Sequence, residues 1–531
     1  MAKPAPEVIH LSPAQLEDLV AQLRVHLPAS LFELVHTALQ TLQWVLGAME
    51  HKTTTIARLK RVLFGSRSEK TAKLFPPPPA TVPEADPQSV PPADKPKRRG
   101  HGRHGAGRYT GAHTIRVPHP HLRAGDPCPE CTGTLAAKTP ARVVCIHAQP
   151  MFTATCYEAT VLRCNRCQKV FTAPLPPEAQ LAKYDPNVGD MLAITRYGMG
   201  VPMYRTARAQ QDLGVPLLAS TQWELMAQAA EPRRPVYEAM IEAAAQAPLI
   251  HTDDTTMRVQ SLRREIAQAG EEAKRTGIFT TNLIADLGDA QVALYFTGSE
   301  HAGENLDRVL QHRAAGLERP LHMCDALSRN ESQEFETILC NCLTHGRRQF
   351  TDVHEGFPEE CRQVIESLRE VYRCDAQARA QGLSDAQRLG FHQEHSGPVM
   401  EVLHGWMSEQ LAEKRVEPNS GLGQAIQYML KRWESLTRFL EVPGAPLDNN
   451  ICERGLKMAI LHRKNSLSYK TLRGAKVGDI FMSLIHTCRL NAINPVEYLT
   501  ALRDHAGLMF KHPSQWLPWT FRQTLQALDT D

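Results

Sequence analysis

Two short apolar runs, residues 248–252 and 321–324, each lead straight into an aspartate: Asp253, with Asp254 behind it, and Asp325. The stretches 278–287 and 291–297 between them are also strand-like, with Gly288-Asp289 as the turn that joins them, and 302–314 has helical spacing. The order is strand, strand, strand, helix, strand. A meander followed by a crossover helix confines the region to a mixed sheet with aspartates at two strand ends, the opening of a ribonuclease-H-like fold. Asp286, Asp289 and Asp307 end no strand at the required point.

A third acid lies far downstream, in Leu447-Asp448-Asn449-Asn450-Ile451-Cys452-Glu453-Arg454, where Glu453 falls in the first turn of a helix. Arg454, Lys457, Arg463, Lys464 and Lys470 follow it. Three carboxylates brought together can hold two divalent cations, and all-oxygen donors suit magnesium. Asp254 and Asp448 compete for two of the three positions, and Asn450-x-x-Glu453 also reads as a capping box. Between Asp325 and Glu453 helical periodicity dominates, at 363–379, 398–413 and 421–440, as a helical insertion. Before it, Cys340, Cys342 and His345 have metal-ligand spacing without a nearby fourth ligand, and Arg347 and Arg348 suit phosphate.

Upstream the chain is modular. Val35, Leu39, Leu42, Leu46 and Met49 follow a 4-3-4-3 stripe continued by Ile56 and Leu63, the pattern of a coiled coil, with Thr53 and Lys60 interrupting it. The alternative is a helical hairpin packed on the rest of the chain. Pro76 to Pro79 open an extended linker. An arm bearing Lys95, Lys97, Arg98, Arg99, Arg103 and Arg108, without an acid, follows, and its interleaved glycines suit DNA backbone or minor groove. The overall charge of +3 would not reveal that local patch. Next come two C-x2-C knuckles, Cys128/Cys131 and Cys164/Cys167, with strands expected at 142–146 and 160–163. Four thiolates so spaced make a closed, structural zinc site in a ribbon, with Cys145 and Cys156 as core residues. Three helical stretches near 188–197, 203–213 and 220–230, the last two split by Leu213-Gly214-Val215-Pro216 and the third capped by Ser220 or Thr221, have a helix-turn-helix layout. Hydrophobic residues at 42% and charged ones at 22% exclude disorder throughout, no apolar run approaches a membrane span, and residues 1–7 lack a signal-peptide layout. The expectation is a cytoplasmic, nucleoid-associated protein whose thirteen cysteines are reduced.

The chain resembles the bacterial insertion-sequence-66 transposases, a DDE-type family, over nearly its whole length. The resemblance is carried by the block from Arg58 to Lys70 ending Phe64-Gly65-Ser66-Arg67-Ser68-Glu69-Lys70, by both knuckles, and by Pro202-Met203-Tyr204-Arg205 through Trp223. It is carried further by His251-Thr252-Asp253-Asp254-Thr255, by Cys342-Leu343-Thr344-His345-Gly346-Arg347-Arg348-Gln349-Phe350, and by Asp448-Asn449-Asn450 with Glu453-Arg454 and Arg463-Lys464-Asn465. The C-terminal blocks His486-Thr487-Cys488, Asn494-Pro495-Val496-Glu497-Tyr498-Leu499 and Leu517-Pro518-Trp519 complete it. One departure is Ala326-Leu327-Ser328 after Asp325, where the family has glycine and tyrosine.

The resemblance implies catalysis by Asp253, Asp325 and Glu453 with Mg2+ or Mn2+, zinc on the four knuckle cysteines, and DNA contacts from Arg98, Arg99, Arg103, Arg347, Arg348, Arg454, Arg463 and Lys464. The activity implied is hydrolysis at transposon ends followed by transfer of the 3′-hydroxyl into target DNA, by a homo-oligomer with accessory proteins of the same element and no membrane. The other reading is a zinc-dependent DNA-binding protein whose catalytic domain has decayed. The expected organisation is multidomain α/β: a helical, coiled-coil segment at 1–73, linker and arm at 74–110, a zinc domain at 111–180 and a helix-turn-helix-like segment at 181–245. A ribonuclease-H-like domain follows at 246–505, with its insertion at about 355–443, then a tail at 506–531.

Overall fold

The computed structural model describes residues 182–270 and 275–528 and, before them, 120–131, 133–138, 151–165, 168–180 and a few isolated positions. The stripe beyond Val35, the proline linker, the arm with Arg98, Arg99 and Arg103, the strand expected at 142–146, Cys145 and Cys167 lie outside those residues.

Cys164 follows the first strand of a hairpin of β1 (Val161–Arg163) and β2 (Val170–Thr172), with Leu162 opposite Phe171. Cys156 is exposed, so it is no core residue. Four helices follow: α1 (Asn187–Ala193), which runs on into a π-turn at Ile194–Gly198, α2 (Met203–Asp212), α3 (Ala219–Ala230) and α4 (Arg234–Ala245). The cap expected from Ser220 or Thr221 is not formed, because α3 starts a residue earlier on Leu218 without a side-chain cap.

The central sheet is built from β3 (Leu249–Thr256), β4 (Phe279–Asp286), β5 (Gln291–Gly298), β6 (Leu321–Cys324) and β7 (Ile338–Asn341) in the order β5-β4-β3-β6-β7. β3, β4 and β5 form an antiparallel meander, whereas β3–β6 and β6–β7 are parallel. The turn between β4 and β5 needs Gly288 at φ +92°, a left-handed conformation that costs glycine little. α5 (Gln260–Ala269) lies between β3 and β4, and α6 (Ala302–Leu310) makes the crossover to β6, ending four residues before the expected Ala314. β3 runs on through Asp253 to Thr256, beyond the expected end at Thr252, because β4 pairs with it along its whole length.

After β7 come α7 (Leu343–Val353), α8 (Pro358–Ala380), α9 (Asp385–His395), α10 (Gly397–Ala412), α11 (Gly421–Lys431) and α12 (Trp433–Leu436). The single helix expected at 421–440 is broken at Arg432. All of these helices except α9 share a hydrophobic core of their own with Leu321 and Met323 of β6 and Cys340 of β7, so the insertion grows from that edge of the sheet. A second core joins α1, α3, α4 and the meander to α13 (Asn450–Ser466), α14 (Leu472–Leu490) and α15 (Pro495–Asp504).

α14 covers the outer edge of β5. Alternate amides of that strand point outward, and helix residues four apart answer them. Ala293 N donates to Thr487 Oγ1 (2.9 Å), Tyr295 N to Ser483 Oγ (2.9 Å) and Thr297 N to Asp479 Oδ2 (2.9 Å). Gln291 N continues the series to Asn491 Oδ1 at 3.0 Å. The match arises because four helical residues rise about 6.0 Å and two strand residues about 6.8 Å. A sheet edge that could pair with another chain is thereby closed.

Candidate functional site

β3 alternates its side chains between two faces of the sheet, and their partners identify each face. His251 Nδ1 lies 3.0 Å from Asn449 Oδ1 at the start of α13, so odd-numbered residues face that helix. Thr252 Oγ1 meets His322 Nε2 at 2.8 Å, while Asp254 meets His301 Nδ1 at 3.0 Å and Arg329 Nη2 at 3.7 Å. Asp253 therefore points toward α13. Asp254, its competitor, points away, toward His301 and Arg329.

The parallel register delivers the second acid. Ile250 pairs with His322 and His251 with Met323, the last pair between β3 and β6. Two residues further along each chain stand Asp253 and Asp325, on neighbouring strands that are about 4.8 Å apart where they pair. Asp325 Oδ1 accepts from Asn330 Nδ2 at 2.5 Å and from Leu327 N at 3.4 Å, which holds it in the turn after β6.

Glu453 arrives on α13. Gly455, two residues on, has Asn282 Oδ1 2.2 Å from where a Cβ would stand, so only glycine lets this helix lie against β4. Its carbonyl accepts from Tyr295 Oη at 2.7 Å. The capping box is not formed: the helix begins at Asn450, and Asn449 instead spends its side chain on β3, donating from Nδ2 to Thr252 O at 2.9 Å. Asp448 Oδ1 accepts from Asn450 N at 3.1 Å, and burial, with the Asp448 carboxylate second, raises the Tyr372 phenol.

Burial first, then the charge of Asp325 and the smaller charges of Glu453 and Asp254, together raise the Asp253 carboxyl to about 8, against a lowering hydrogen bond from the Asp254 amide. Like charges act this way only when close. Among the described residues neither Asp253 nor Asp325 has an ion-pair partner. A half-buried set of oxygen donors that repel one another fits a divalent cation, whose charge would reverse the repulsion.

The Cys340-x-Cys342-x2-His345 run, which lacks a fourth ligand nearby in sequence, is split. Cys342, His345 and Glu453 have ligand atoms within 4.8 Å of one another, with His345 Nε2 3.7 Å from Glu453 Oε1. Cys340 is buried in the insertion's core instead. Burial pushes the Cys342 thiol up to about 11, and its sulfur accepts from Asn449 N at 3.3 Å. Leu343 N also donates to Leu447 O at 3.0 Å, so the start of α7 grips the segment that leads into α13. Pairing of His345 with Glu453 was invisible in sequence because 107 residues separate them; the Cys342-x2-His345 spacing was its only signal.

Of the expected DNA contacts, Arg347 and Arg348 lie half-buried on α7, Arg454 and Lys464 are exposed on α13, and Arg463 holds the end of β3 through Thr255 Oγ1 and Thr256 Oγ1 (2.7 Å). In the first knuckle, Cys128 N donates to Gly133 O at 2.7 Å and Gly133 N to Cys131 Sγ at 3.5 Å. Backbone donors at Glu130, with Cys131, hold the Cys128 thiol below its usual range, as suits a metal-binding thiolate.

Residues 184–477, more than half of the chain, match the Transposase IS66 family, and the chain belongs to that family of DNA-processing proteins. It is similar to the uncharacterized protein y4hP of Sinorhizobium fredii, at 25% identity over 387 residues, 68% of this chain and 67% of that one. The uncharacterized protein y4jD of the same organism is 24% identical over 506 residues, 88% of this chain and 94% of that one. No solved structure matches. No helix among the described residues is long and apolar enough to cross a membrane.

Proposed function

We propose that the chain is an active DNA transposase whose sheet is ribonuclease-H-like and whose metal-binding acids are Asp253, Asp325 and Glu453. The observation that supports this most is the convergence on Asp253: one aspartate in register beside it, one glutamate over it on α13, and their charges acting on its carboxyl. The meander, crossover and parallel strands follow the order of that fold.

When bound, two magnesium or manganese ions supply Lewis-acid stabilisation of the attacking and leaving oxygens. The three carboxylates hold the ions, and Asn449, Gly455 and the start of α7 keep Glu453 in place. Water forms a bond to phosphorus at the transposon end as the P–O3′ bond breaks. The freed 3′-hydroxyl then attacks a target phosphodiester and displaces its 3′-oxygen. Both steps are displacements at phosphorus and need no protein nucleophile. The four knuckle cysteines hold zinc and shape a DNA-binding surface, and Arg98, Arg99 and Arg103 neutralise phosphates. DNA ends, target DNA, further copies of the chain and accessory proteins are its partners.

Strand cleavage of DNA carrying the ends that flank the gene, with magnesium, tests the proposal. Cleavage followed by strand transfer is expected. End binding without cleavage would favour the decayed, zinc-dependent DNA-binding protein, for which Ala326-Leu327-Ser328 after Asp325 is the motivating feature. Metal analysis of the reduced, folded protein tests the ribbon, and absence of zinc would overturn that part.

A further inference from the structure

A cavity of about 520 Å³ opens between the π-turn after α1, the starts of α2 and α3, and the segment joining α13 to α14. Its volume falls within the roughly 300–1,000 Å³ of pockets that enclose a small organic ligand. Trp223, Tyr469 and Met203 supply aromatic and apolar walls, and Arg196 and Lys470 bring positive charge. No acid lines it among the described residues. Arg196 is only 7% exposed, yet its Nε has no hydrogen-bond partner within the protein. α2 and α3 both begin here without a side-chain cap, and Met203, Ala219 and Ser220 of their first turns line the cavity.

Flat apolar walls beside a buried guanidinium, a lysine and helix N-termini match one chemical class: a nucleotide, with a planar base and an anionic phosphate. We propose that this cavity takes one unstacked nucleotide of a DNA strand, its base against Trp223 and its phosphate at Arg196 and Lys470. The proposal rests on the DNA-processing reading above. Position supports it too. Tyr469 N donates to Arg258 O at 2.8 Å, which places the cavity wall five residues along the chain from Asp253. That is at most about 17 Å at strand rise, or about five nucleotides at 3.4 Å each. That distance puts the cavity within reach of a strand held at the three acids.

The test uses the full chain and fluorescence anisotropy with two probes, octathymidylate and an abasic oligodeoxynucleotide of equal length. Octathymidylate is expected to bind roughly tenfold tighter, since stacking rewards each base held on an aromatic ring. Ala219→Trp, which fills the cavity mouth from an exposed helix start, and Trp223→Ala should each bring that ratio close to one, while Trp223→Phe should keep most of it. Equal binding of the two probes by the unaltered chain, or a tenfold preference that survives Ala219→Trp, would overturn the proposal. Thymidine monophosphate should compete only weakly; competition equal to that of octathymidylate would mean a free nucleotide is the ligand, and the DNA-strand assignment would fail. A chain that prefers octathymidylate but cuts no DNA end sinks the catalytic reading alone, and one that cuts without the preference sinks the cavity alone.

Discussion

Asp253 holds its proton to about pH 8 in the folded, metal-free chain, whereas an unfolded aspartate releases it near 4. Between those values the folded state binds the extra proton, so stability falls as pH rises. The stabilising difference is fully present below about pH 4 and lost by about pH 8. Asp253→Asn carries no ionisable group there. In chelator, its melting temperature should exceed that of the unaltered chain at pH 8 and converge with it toward pH 5. Thermal melts across that range check this, and a variant that is less stable at pH 8 would remove the burial argument. Magnesium should stabilise the unaltered chain at pH 8 and leave Asp253→Asn nearly unmoved.

At the scale of elements, the fit of α14 to β5 is the most exposed to test. Ser483→Ala leaves the Tyr295 amide buried without its acceptor, which should cost about 1–3 kcal/mol in urea unfolding. Thr487→Val should cost a similar amount through the Ala293 amide. A second device joins α1 to the C-terminal helices. Arg233 Nη2 lies 2.6 Å from Asp190 Oδ1 and donates to Leu499 O of α15 at 3.0 Å, with both charged side chains buried. Burial dominates this pair, for Asp190 is raised to about 6 and Arg233 is lowered despite their attraction. Arg233→Met should therefore cost about 3 kcal/mol by stranding Asp190, with Arg503 left 3.7 Å away, and Asp190→Leu in the same chain should recover most of it. Equal losses in the single and double variants would show that packing, not charge, matters there.

Over the whole molecule, what could be read from sequence followed how local its cause was. The meander, Gly288, the crossover helix and β6 were legible because period-two runs and a turn glycine are local signals. The register that sets Asp253 beside Asp325 was half legible: both acids followed apolar runs, but pairing of His251 with Met323 is a relation between strands. The full length of β3 was not legible, since Thr255 and Thr256 extend only because β4 and Arg463 hold them. Glu453 was singled out in sequence, yet its surroundings were not: Asn449, Gly455 and His345 act across more than 100 residues of intervening chain or through contact with the sheet. The helix-edge ladder of α14 had no sequence signature, because Asp479, Ser483 and Thr487 look like ordinary polar residues until β5 lies beside them. Joint action of the three acids is tested most directly by magnesium-dependent cleavage of an end-bearing DNA with Asp253→Asn, Asp325→Asn and Glu453→Gln. Each is expected to lose activity by about 100-fold or more while binding DNA ends as the unaltered chain does. A Glu453→Gln protein that still cuts at the normal rate would contradict the account and turn attention to Asp448.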